Sequence, residues 1–294
     1  MVVNNFDRVS GPTWFDSEMY GGFLYQEDGG VGYVNDLSFS GDVYEFRRDF
    51  EWIDDDNPGF GGSSIEHAGT IVPGNTFDYA IVHGRALMAA GRPFYSVSVQ
   101  AWEADPSLGK GSSIVDIICG KQVTVPTGQE STRYSVFPSE LQTVIKDYTS
   151  GGGNVIISGA NIATDVWDRV FPIQIDKERR ELDKEFVQSV LGYKWHTGHG
   201  SYTGEVVPIE GGKAISFHQK RNRVIYQVEN PDGIVPANEN GVTTMRYSGN
   251  NVPAAVRFKG KNYKVASFGF PLETIVDYND MERLIQDTLN YFSN

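Results

Sequence analysis

Apolar residues along this chain recur at two periods, helical and extended, and their alternation outlines the architecture. The clearest stretch is FPSELQTVIKDYTSGGGNVIISGANIATDVW, from Phe137 to Trp167. Leu141, Val144, Ile145 and Tyr148 fall at helical spacing behind Pro138, whose missing N–H costs nothing in a first turn. Gly151, Gly152 and Gly153 end that helix, and Asn154 to Ser158 follows as a short run that is apolar on both faces. Such a run reads as a parallel strand covered from both sides. Gly159-Ala160-Asn161 then turns the chain, and Ile162 to Arg169 begins another helix. Helix, glycine break, buried strand, turn and helix make an α/β unit, whose sites lie beyond the carboxyl ends of the strands.

The same reading extends in both directions. Val2 to Phe6, Phe94 to Val99, Ile114 to Cys119 and Tyr263 to Phe268 read as further strands, the last paired with Ala254 to Phe258. Asn75-Thr76 is placed to cap a helix running to Gly91, with Tyr79, His83, Ala86 and Ala90 on one stripe. Asp176 to Leu191 reads as an amphipathic helix with Leu182, Phe186, Val187, Val190 and Leu191 inward. Asn279 with Glu282 has the spacing of a capping box for a closing helix built on Met281, Leu284, Ile285, Leu289 and Phe292. Five strands alternating with helices predict a doubly wound, mostly parallel five-stranded sheet in flavodoxin-like order 2-1-3-4-5.

Two stretches break this rhythm. Residues 13–74 form a long aromatic and Gly-rich excursion with short strand-like pieces such as Tyr44-Glu45-Phe46, suited to a lid over one sheet edge. Residues 193–250 read as a β-rich insertion, with strands at 205–207, 214–217, 223–228 and 243–247. The expectation is a single domain over 1–294 that includes both.

Composition narrows the class. The chain has 294 residues, 39% hydrophobic and 13% aromatic, which is globular rather than disordered. Its formal charge of −13 sets it against nucleic acid and anionic membrane surfaces. No apolar run approaches the roughly 20 residues of a membrane span. Met1 leads straight into Val2 to Phe6, which does not read as a signal sequence, and a chain that starts inside a strand is expected to be a domain of a longer protein. One cysteine, Cys119, allows neither an intrachain disulfide nor a cysteine-based zinc site.

Candidate chemistry is sparse. Cys119 closes a buried strand before Gly120-Lys121; it is a nucleophile candidate if a base lies near, and otherwise a small core side chain. Ser158 sits at a strand-to-helix turn with small neighbours, but Ile156 replaces the first glycine of G-x-S-x-G. His196-x-x-His199 lies among glycines with no carboxylate to complete a metal set, and His83 falls on an apolar stripe as a core histidine would. Asp54, Asp55 and Asp56 gather hard oxygen ligands in a turn, without EF-hand spacing. Walker A and G-x-G-x-x-G motifs are absent, so no cofactor is expected. The shared direction of parallel strands brings Asp7, Arg8, Lys121, Asn161 and Asp165 to one edge as ligand-binding candidates, with Glu273 as a further acid.

Two resemblances add to this. Val115 to Gly120, Asn154 to Asn161 and Ser267 to Glu273 resemble the third strand, elbow unit and late strand of class I glutamine amidotransferase-like domains. No cysteine stands at the elbow, and Pro271 occupies the position of the catalytic histidine, so that only Glu273 matches the triad and glutaminase chemistry is not expected. Asn5 to Pro12, Asp54 to Gly62, Gly74 to Tyr79, His83 to Ala86 and Gly159 to Trp167 look like a domain of large secreted Bacteroides-type proteins named as xanthan lyases. That resemblance implies a secreted, cell-surface or periplasmic location, neighbouring modules in a longer chain, and a carbohydrate or envelope-glycan partner. The combined expectation is an amidotransferase-like domain, non-catalytic or of an activity that no motif reveals, in a secreted glycan- or envelope-processing protein. The alternative is a carbohydrate lyase or hydrolase acting at the carboxyl edge of the sheet.

Overall fold

The computed structural model of the chain describes residues 1–8, 13–16, 20–24, 45–47, 74–126, 132–168, 177–220, 222 and 224–293. Strands β1 (Val2–Asn4), β5 (Ser96–Ser98), β6 (Ile114–Gly120), β9 (Asn154–Gly159) and β16 (Lys264–Phe268) run parallel, side by side, in the order β5-β1-β6-β9-β16. The sheet does not stop there. β15 (Pro253–Lys259), β14 (Gly241–Tyr247), β11 (Glu205–Pro208) and β12 (Ile215–Ser216) continue it past β16, each antiparallel to its neighbour. The expected five-stranded sheet is thereby corrected to a nine-stranded, mixed one. The physical reason is β16: its outer edge would present unpaired backbone groups, and β15 covers it through a hairpin.

Alternation along the strands explains the two helical layers. Val2, Ile118, Ile156 and Phe268 point to one side, against α1 (Tyr79–Ala89) and α6 (Tyr278–Ser293). Val3, Ile117, Val155 and Val265 point to the other, against α2 (Val99–Ala104), α3 (Ser139–Ser150) and the helix α5 (Lys177–Phe186), which closes in a π turn through Leu191. Both faces of the central strands are covered, as their continuous apolar runs require. A second small sheet pairs β10 (Tyr193–Thr197) with β13 (Gly233–Pro236). In the 13–74 stretch, β2 (Thr13–Asp16), β3 (Tyr20–Leu24) and β4 (Glu45–Arg47) form an antiparallel sheet. Asp54, Asp55 and Asp56, the calcium candidates, lie outside the described residues.

Several local expectations are corrected. Asn75 does not cap α1. Its side chain donates to the carbonyls of Phe6 at 2.7 Å and Arg8 at 2.8 Å and so ties the loop to the end of β1. Asp277, not Asn279, opens α6, accepting from the Asn279 N–H at 3.0 Å. Leu182 is 50% exposed, and Asp183 takes the inward position, held by Gln142 Nε2 at 2.7 Å. Residues 224–228 bury Ile225, Tyr226 and Val228 without forming a strand.

Candidate functional site

The parallel strands advance to opposite sides of one point: from β1 the chain moves outward to β5, and from β6 inward through β9 to β16. Between the carboxyl ends of β1 and β6 the connections therefore diverge, and a crevice is left there. The structure holds a cleft of about 530 Å³ at that point. Asn5 and Asp7 line it from the end of β1, Gln122 and Thr124 from the end of β6, and Gln100 and Glu103 from α2. The remaining wall comes from the 132–135 segment, the start of α3, and Arg179 and Asp183 of α5.

The lining is polar and mostly interlocked. Asp7 accepts from the side-chain amides of Gln100 and Gln122. Gln122 Oε1 in turn accepts from the Arg8 N–H at 3.2 Å, so this one side chain bridges the two strand ends. Arg179 pairs with Asp183 at 2.9 Å. Glu103 stands apart, since its Oε1 is buried with no hydrogen-bond partner among the described residues. Burial, then Glu140 and Asp7, raise the Glu103 pKa above the ordinary carboxylate value.

Of the five predicted ligand-binding residues, the structure brings Asp7 alone into the lining of this cleft. The others are buried and support its rim. Asp165 accepts from the Thr124 N–H and hydroxyl, both at 2.8 Å, and from the Val136 N–H at 3.0 Å. Asn161 donates to the Gln122 carbonyl at 3.4 Å. Arg8 donates to the Lys121 carbonyl at 3.4 Å, and Lys121 Nζ pairs with Glu229 at 2.8 Å. Gln100, Glu103, Gln122, Arg133 and Arg179 were not singled out from sequence. Gln122 had a signal, because the order 2-1-3-4-5 already names the ends of the first and third parallel strands as the crevice. The others come from helices and loops whose approach no local pattern reveals.

The three catalytic candidates lie in the interior. Cys119 is 1% exposed, receives a hydrogen bond from Asn5 Nδ2 at 3.5 Å, and has its thiol pushed up to about 12 by burial. A Cβ added at Gly159 would come within 2.7 Å of Cys119 Cβ, so the glycine serves close strand packing. Ser158 is 0% exposed and its Oγ has no partner among the described residues. Glu273 reaches His83 Nε2 at 3.2 Å and accepts from the Tyr226 hydroxyl at 2.7 Å, while His83 Nδ1 meets Asp116 at 2.8 Å. Of the loop histidines, His199 pairs through Nδ1 with Asn230 at 2.7 Å. Among the described residues no group of three His, Cys, Asp or Glu side chains could hold a metal ion, and no helix is long and apolar enough to cross a membrane.

These features define a three-layer α/β domain with a polar cleft at its strand-order switch point. No family model matches the chain, and no curated protein matches it. Among solved structures it is similar to the exo-β-1,4-mannosidase Op5Man5 from Opitutaceae bacterium strain TAV5, with TM-score 0.43 and 11% identity over 72% of this chain and 30% of the mannosidase. It is similar also to a β-galactosidase from the Antarctic haloarchaeon Halorubrum lacusprofundi, with TM-score 0.43 and 15% identity over 74% of this chain and 27% of that enzyme. A third similarity is to the mmIFT52 N-terminal domain, with TM-score 0.42, 13% identity, and coverage of 71% and 88%. The chain thus spans about 30% or less of the two glycosidases it resembles. Similarity at this level does not establish a shared fold.

Proposed function

We propose that this chain is a non-catalytic glycan-binding domain whose ligand sits in the cleft between the ends of β1 and β6. The observation that carries the reading is the lining: amides, carboxylates, guanidinium groups and hydroxyls converge in one concave site at the switch point. Such a mixture suits a hydroxyl-rich ligand, because each hydroxyl both donates and accepts. The formal charge of −13 weighs against a polyanion. The parallel block β5-β1-β6-β9-β16 is compatible with a flavodoxin-like, class I amidotransferase-like core. With Pro271 at the histidine position and Cys119 buried, that core is proposed to lack glutaminase activity. On the resemblance to secreted Bacteroides-type proteins, the domain is proposed to work outside the cytoplasm beside other modules.

Calorimetric titration of neutral and uronate oligosaccharides tests this. Neutral oligosaccharides are expected to bind, and Gln100→Ala, which removes a donor to Asp7 on the cleft wall, to weaken them. Absence of binding by every glycan would remove the reading. Release of unsaturated uronates or new reducing ends by the pure protein would replace it with the competing one, a lyase or hydrolase at the same edge.

A further inference from the structure

We infer that Tyr134 is the aromatic platform of the cleft, against which one face of a neutral pyranose ring stacks. This rests on the glycan-binding reading and names the residue that tells a sugar ring from other hydroxyl-rich ligands.

The position is fixed from both sides. β7 (Val125–Pro126) and β8 (Thr132–Arg133) pair antiparallel, with Val125 opposite Arg133. Thr124, just before β7, gives its N–H and its hydroxyl to the buried Asp165, both at 2.8 Å. Val136 gives its N–H to the same carboxylate at 3.0 Å, and its carbonyl accepts from Asn5 Nδ2 at 2.9 Å. Tyr134 and Ser135 are left to turn the chain between two held points, and Tyr134 does so with φ +62. In that conformation a Cβ crowds the following carbonyl oxygen, so glycine or asparagine would make the turn at less cost. Strain of this kind persists where the surroundings over-determine it, and it gathers at ligand clamps.

Tyr134 is the one aromatic residue among the described residues that line the cleft, and it is half-buried. The rest of the wall supplies what hydroxyls need: the amides of Gln100 and Gln122, the carboxylate of Asp7, and the hydroxyls of Thr132 and Ser135. A pyranose carries its hydroxyls mostly around the rim of the ring and shows C–H groups on its faces. The rim therefore suits the polar wall, and a face needs a flat apolar surface, which a tyrosine ring offers at little loss of side-chain freedom. Phe77, the other aromatic with positive φ, is 49% exposed and outside the cleft lining, which makes it a control for strain without stacking.

The test is calorimetric titration of the whole chain with neutral β-1,4-linked trisaccharides of glucose, mannose and galactose, alongside thermal unfolding. Tyr134→Phe keeps the ring and is expected to bind within about twofold of wild type. Tyr134→Asn removes the ring and relieves the strain. It should weaken binding about tenfold, a difference of about 1.4 kcal/mol, while the thermal midpoint stays level or rises. Phe77→Asn should leave binding unchanged. Undiminished binding by Tyr134→Asn would overturn the assignment while the cleft remained a glycan site. Loss of binding in Tyr134→Phe would place recognition in the hydroxyl, and weaker binding in Phe77→Asn would place the platform outside the cleft; either overturns it. A lowered midpoint in Tyr134→Asn would make the ring a support of the hairpin and overturn it too. Binding of none of the three sugars by the wild type would remove this inference together with the function it rests on.

Discussion

His83 lies on α1 with both ring nitrogens facing carboxylates, Asp116 at 2.8 Å and Glu273 at 3.2 Å, and the ring is 0% exposed. Neither carboxylate can donate when ionised, so both nitrogens carry protons and the ring is an imidazolium. Burial by itself lowers its pKa, but the charge and hydrogen bonds of Asp116 and then Glu273 outweigh this and push it up to about 10. An unfolded histidine titrates near 6.5, so between the two values the folded chain holds one proton that the unfolded chain has lost. This contribution is full below about pH 6.5 and falls as pH rises, by about 1.4 kcal/mol per unit. Denaturant unfolding from pH 6.5 to 8.5 is expected to show that decline in the wild type. His83→Gln should be less stable at pH 6.5, by about 3 kcal/mol, because two buried carboxylates lose their cation. The gap between the two proteins should narrow as pH rises; a constant gap would mean that His83 is not charged in the folded chain. His83 thus holds α1 to β6 through Asp116 and to the turn after β16 through Glu273, which is a structural use of residues that look chemical in the sequence.

At the scale of elements, the end of α5 governs how the insertion joins the sheet. The helix runs into a π turn at Val187–Leu191, and Gly192 stops it with φ +78. That conformation favours glycine, and a Cβ there would lie 2.0 Å from Phe258 Cγ on β15. Backbone and packing therefore demand the same residue. The chain then enters β10 with Tyr193 fully buried and its hydroxyl on the Ile162 carbonyl at 3.0 Å. Gly192→Ala is expected to lower stability by about 2 kcal/mol or more, combining left-handed strain with overpacking. A thermal midpoint within a degree of wild type would show that the Phe258 ring moves aside freely.

For the whole molecule, the nine-stranded sheet joins segments far apart in sequence. β16 pairs with β9, β15 with β16, and Phe268 and Val256 contribute to the cores on opposite faces. A fragment beginning at residue 193 would keep β15 and β16 but lose β9, the strand that completes the inner edge of β16. Limited proteolysis is therefore expected to yield no folded 193–294 piece, because the exposed edge and the uncovered apolar faces would not be compensated. Recovery of such a piece with cooperative unfolding would divide the chain into two folding units.

Hydrophobic period alone was enough to locate β1, β5, β6, β9, β15 and β16, the helices α1, α3, α5 and α6 and the mixed α/β class, though not α2, because buried strands and amphipathic helices write their environment into every second or every third and fourth residue. It also marked residues 193–250 as a break in that rhythm. Periodicity could not say that three strands of this stretch, β11, β12 and β14, would extend the sheet rather than pack on it, since an antiparallel strand reads alike in either place. Nor could it separate Asp7, which lines the cleft, from Asp165, which holds the cleft wall from inside. Both are carboxylates in segments that follow a parallel strand, and what distinguishes them is the approach of Thr124 and Val136 to one and of Gln100 to the other. Glu103 carries no motif at all. Its place in the cleft lining follows from the packing of α2 against α3 and β1, which is a property of the tertiary structure.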